Sequence, residues 1–111
     1  MDIRLVNNQP HAGLFNMDSF PVMDNDTVGS LSRRLHRMER NIKDSERVSL
    51  YWYADPVMGP RRIPALTQPL DGVARIDPAQ DRFKIDVAEN KVSLVSGGKS
   101  IDIGESLVYR V

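Results

Sequence analysis

The 111-residue sequence has no cysteine. A disulfide framework, a thiolate metal site and a cysteine nucleophile are therefore excluded. Net charge is absent too, because 15 basic side chains balance 15 acidic ones. That balance speaks against a strongly basic nucleic-acid binder and against an acidic tail protein. No apolar run approaches the roughly 18 residues needed to span a bilayer. The first residues, Met1-Asp2-Ile3-Arg4, lack the basic start and apolar stretch of a secretion signal, so a cytoplasmic protein without membrane attachment is expected. Histidine is confined to His11 and His36, and nothing in their spacing pairs either with a nucleophile. A His-Glu-x-x-His pair, a Gly-Lys phosphate loop, a nucleophile elbow and a dinucleotide fingerprint are all missing. The absences lean away from an enzyme and imply neither cofactor nor metal.

What remains has an ordinary globular composition: apolar side chains make up 41% of the chain, enough for one cored domain over 1–111. Ile3-Arg4-Leu5-Val6 suits a short strand, ended by the turn residues Asn7-Asn8-Gln9-Pro10. From His11 to Met23 the alternation is broken, and Pro21 restricts this segment to an irregular edge strand. Val28, Leu31, Leu35, Met38 and Ile42 then recur at helical spacing and predict one amphipathic helix over about 27–43. Asp24-Asn25-Asp26-Thr27 supplies its cap candidates. Val48 to Tyr53 is the strongest strand, β-branched, aromatic and alternating. Residues 55–70 hold four of the seven prolines and form a proline-rich loop, long for a connection inside a compact domain. Further strands are expected at 73–76, 82–88, 91–96, 100–103 and 106–111. Glu89-Asn90 and Gly97-Gly98 serve as turns, the glycine pair being suited to the positive φ of a primed hairpin turn.

One helix and six or seven strands joined by short turns give an α+β domain, the helix lying across a mostly antiparallel sheet. A strand pair, a helix opening at Asp24-Asn25-Asp26-Thr27-Val28 and then a strong strand resemble the start of the ubiquitin-like β-grasp fold over about the first 55 residues. The strand-rich C-terminal part departs from that pattern. The final strand is apolar on both faces, which suits either an interior strand or an edge that pairs with a second copy in a homodimer.

Three features could carry binding. The helix segment from Arg33 to Lys43 holds five basic residues and the single acid Glu39, with Arg33, Arg37 and Arg40 away from the apolar stripe. Such a face binds phosphates or a partner's carboxylates, or is simply the solvated side of a surface helix. Tyr51 and Tyr53 share the strand face opposite Trp52, as an interface patch, a stacking platform or a covered surface. Arg61 and Arg62 lie between Pro60 and Pro64 in the proline-rich loop, a recognition tip or an ordinary stiff loop. Asp18, Asp24 and Asp26 cluster before the helix but lack the calcium-loop pattern, and capping accounts for them better. The favoured reading is a non-enzymatic binding module that contacts another protein, an accessory, adaptor or inhibitor of bacterial or phage kind. Nucleic-acid binding through the basic helix is the second reading. A small ligand-binding domain or enzyme with a pocket between helix and sheet, using His11 and an acid, is the third.

Overall fold

A computed structural model describes residues 1–7, 14–53, 73–104 and 106–111. The strands are β1 (Asp2–Asn7), β2 (Met17–Pro21), β3 (Ser49–Tyr53), β4 (Val73–Arg75), β5 (Arg82–Asp86), β6 (Lys91–Ser96), β7 (Lys99–Asp102) and β8 (Ser106–Arg110). A single α-helix among the described residues, α1 (Val28–Met38), follows β2, and a 3₁₀ turn (Ser45–Arg47) precedes β3. The strands form two sheets rather than the one expected: five strands in the order β2-β1-β8-β3-β4, and three in the order β5-β6-β7. The β1–β2 hairpin, the helix and β3 bear out the β-grasp-like start. The last strand then returns to the middle of the large sheet, parallel to β1 and antiparallel to β3. That position explains its apolar character, because a central strand covered on both sides cannot alternate with water. Leu107, Val108 and Tyr109 are all buried, so β8 offers no edge to a second copy.

Why α1 stands where it does follows from its ends. Thr27 is the N-cap; its hydroxyl accepts from the Ser30 N–H at 3.1 Å while Ser30 Oγ accepts from the Thr27 N–H at 2.8 Å. This reciprocal box satisfies two otherwise orphaned donors, a contribution of about 1 kcal/mol. The cap is therefore Thr27, and Asp24 and Asp26 have other partners. The helix stops at Met38, five residues short of the expected end, because Glu39 takes extended backbone angles (φ −113°, ψ 108°). Its side chain turns inward, where one carboxylate oxygen accepts from the Phe15 N–H at 3.3 Å and the other from the Asn41 N–H at 3.1 Å. Ile42 reaches the core by way of the turn that follows, and His36 Nδ1 meets the Ile42 carbonyl oxygen at 2.6 Å. Met38, expected on the buried stripe, is 49% exposed instead, and the inward positions are Val28, Leu31, Ser32, Leu35 and Glu39.

These helix side chains pack on Ile3, Leu5, Leu50, Leu107 and Tyr109 of the large sheet, and Phe83, Val92, Leu94 and Ile103 join the same core from the small-sheet region. Each fully buried aliphatic or aromatic side chain here stabilises by about 1.5–3 kcal/mol before entropy is counted. Asn25 N–H to the Phe83 carbonyl (2.8 Å) and Phe83 N–H to the Asp26 carbonyl (2.9 Å) tie β5 to the segment that leads into α1. The β6–β7 hairpin forms as expected, with Gly97 and Gly98 at φ +56° and +80°. The preceding turn spans Val87 to Asn90 rather than two residues, so β5 ends at Asp86 and Val87 is exposed.

Candidate functional site

Nearly adjacent arginines on α1 have opposite destinations. Arg34 lies between helix and β2, where its guanidinium donates to both Asp26 carboxylate oxygens, at 2.9 and 3.1 Å, and to the Pro21 carbonyl at 2.9 Å. It also stacks over the Phe20 ring, 6.0 Å from its centroid. Asp26 accepts further from the Met23 N–H at 2.7 Å and the Ser30 hydroxyl at 2.7 Å. Burial alone would raise the Asp26 pKa, but the bonds from Arg34, Ser30 and Met23 outweigh it and hold the carboxyl below its ordinary value. This ion pair ties β2 to the segment that opens the helix and is part of the fold.

Arg33, Arg37, Arg40 and Lys43, by contrast, are exposed. None of them makes an ion pair among the described residues. With Arg34 consumed by Asp26 and Glu39 turned into the core, the outer side of this stretch carries positive charge alone. The one negative charge that sequence arithmetic set against the cations is missing from the surface they share. Arg33 leans back along the helix, its Nη1 beside Gly29.

The aromatic face does not form as a pair of exposed rings. Tyr53 is buried, and burial raises its phenol pKa, an effect partly offset by the nearby Arg4 charge. Tyr51 is half-buried. Val6 and Val108 are buried on the same sheet face, so that side of the large sheet is covered rather than presented, and the exposed-platform reading is withdrawn. Trp52 packs partly against the core on the helix side, as expected. Arg61, Arg62, His11 and the proline-rich loop lie outside the described residues. The three acids before the helix do not converge: Asp18 pairs with Arg4 (3.5 Å), Asp24 with Lys84 (3.6 Å), and Asp26 with Arg34.

Two features had no sequence signal. The first is Phe15, whose backbone is held at both polar groups, the N–H by Glu39 and the carbonyl by the Tyr109 hydroxyl at 2.7 Å, while 64% of the residue stays exposed. Burial together with the Glu39 charge pushes the Tyr109 phenol up to about 12. The second is a notch of about 230 Å³ beside the N-terminal half of α1, lined by Val28, Gly29, Ser32, Val48, Ile76 and Pro78 among others. The buried Ser32 hydroxyl has no hydrogen-bond partner among the described residues. The notch lies where the third reading expects a helix–sheet pocket, and His36 does not line it.

Comparison with known proteins gives the setting. The family model for the ubiquitin-like domain of leucine--tRNA ligase matches residues 1–111. A cytoplasmic leucine--tRNA ligase from Pongo abelii is 35% identical over all 111 residues, and the chain spans 9% of that relative's length. No solved structure matches the chain significantly. Among the described residues no helix is long and apolar enough to cross a membrane. With the full-length family match and the β-grasp-like order of its first elements, the chain belongs to the family of leucine--tRNA ligase ubiquitin-like domains.

Proposed function

We propose that this domain is a non-catalytic docking module of a leucine--tRNA ligase and that it contacts a protein partner through the outer face of α1 and the turn that follows it. The observation that supports this most is the set Arg33, Arg37, Arg40 and Lys43: exposed, without an ion pair among the described residues, and cleared of the one acid within the Arg33–Lys43 segment by the inward turn of Glu39. Arginine forks bind carboxylates bidentately and are frequent among residues that dominate interfaces. The partner surface is therefore acidic. Arg61 and Arg62 remain a second candidate contact on the strength of sequence alone.

The similarity to a leucine--tRNA ligase supports a second reading, in which the same cations contact the phosphates of tRNA. Phosphate contact alone would make binding fall steeply with salt. The two readings separate in one experiment. A photo-crosslinking residue is placed at position 37 of the protein in an extract of its own cells, and crosslinked species are identified by mass spectrometry with and without ribonuclease. Protein adducts that survive ribonuclease and vanish in an Arg33→Glu, Arg40→Glu background are the expected result. Adducts to RNA alone would transfer the site to the second reading.

A further inference from the structure

We infer that Phe15 and Met38 form an apolar anchor beside the arginines of α1, and that the composite surface takes an amphipathic, acidic helical segment of a partner protein. This rests on the docking reading above and names the chemistry of what docks. Exposed apolar side chains are ordinary when scattered. Phe15 differs because its backbone is fixed while its ring is not used. Its N–H is held by the buried Glu39 carboxylate at 3.3 Å and its carbonyl by the fully buried Tyr109 hydroxyl at 2.7 Å, yet the residue is 64% exposed. An aromatic side chain on a fixed backbone loses only its own ring rotamers on binding, which suits an interface anchor.

Met38 is linked to Phe15 through Glu39. It is the last helical residue, next in the chain to Glu39, and it is 49% exposed where the apolar spacing of α1 would have buried it. Phe15 and Met38 thus flank one inward-turned carboxylate. Arg37 and Arg40 bracket the Met38–Glu39 step in the chain and are both exposed. Methionine adapts its shape to a range of apolar partners. An apolar pair beside unpaired guanidinium groups complements a segment with one apolar stripe and carboxylates along its edges. Helix-in-groove recognition reads such stripes at positions i, i+3, i+4 and i+7.

A random-peptide display library selected on the wild-type protein tests this, with affinities of the enriched peptides measured by fluorescence anisotropy. The expected peptides carry Leu, Phe or Trp at helical spacing and net negative charge. Phe15→Ala should weaken them about ten-fold or more, as should Arg37→Glu. The amide spectrum of each variant, assigned by NMR, should keep its dispersion, because both side chains lie outside the core. Peptides that lose affinity with Arg37→Glu but bind Phe15→Ala and Met38→Ala like wild type would overturn the anchor while leaving the arginine docking face standing. Peptides indifferent to all three variants would overturn both.

Discussion

Arg33 and Arg34 are neighbours in sequence, identical in chemistry and part of the same helix, yet they belong to different regions of the molecule. Arg34 points toward β2 and is consumed by Asp26, Pro21 and Phe20. Arg33 points away and meets no carboxylate among the described residues. One residue of rotation along a helix, about 100°, separates a structural cation from an available one. Charge counting over a segment therefore overstates the charge on offer in one direction and understates it in the other. Arg34 must be subtracted from the surface, and so must Glu39.

The largest test of this contrast is at the ion pair. Asp26→Ala leaves the Arg34 guanidinium nearly buried and unpaired, and the expected loss is about 3–5 kcal/mol by urea unfolding. Arg33→Ala and Arg37→Ala should each change stability by less than about 0.5 kcal/mol. A cost for Arg33→Ala as large as that for Asp26→Ala would erase the distinction. The same pair sets an acid limit. Because the folded Asp26 pKa lies below the unfolded value of 3.8, its stabilisation is present above that value and is lost as pH falls through the folded value. Asp26→Asn should thus flatten the acid limb of the stability profile.

Next in size is the support beneath Phe15. Tyr109→Phe removes the donor to the Phe15 carbonyl, and a loss of about 1 kcal/mol is expected. Its alkaline signature has the opposite sense to that of Asp26. A folded pKa of about 12 against 10.0 means that stability is intact below 10.0 and declines as pH rises from there toward 12. The phenylalanine variant should show a shallower decline over that interval. The smallest effect is expected at the notch. Ser32→Ala deletes a buried hydroxyl with no partner among the described residues, so stability should stay within about 1 kcal/mol of wild type or rise. A clear loss would mean that the hydroxyl is satisfied in solution.

Much of the fold was legible because its signals are local. The 3.6-residue spacing marked α1, alternation and β-branching marked β3, and Gly97-Gly98 marked a turn whose positive φ angles other residues resist. The site was less legible. The exposure of Arg33 and Arg37 was legible because helix geometry turns them from the stripe, whereas Arg40 lies past the end of the helix. Tyr53 was misplaced because alternation says which residues share a sheet face, and not whether that face is covered. Phe15 was invisible because its role depends on Tyr109, 94 positions away, and on Glu39.

By itself, then, the sequence determined the class of fold, the helix and its cationic side, and the exclusion of cysteine chemistry, since each follows from residue type and short-range periodicity. Only the tertiary structure decided that the strands divide into two sheets, that the last one lies at the centre of the larger, and that one acid and one arginine leave the helix surface. Those outcomes depend on which long-range backbone partners are free and on which polar groups can be satisfied once buried. Neither is a property of any short window of the chain.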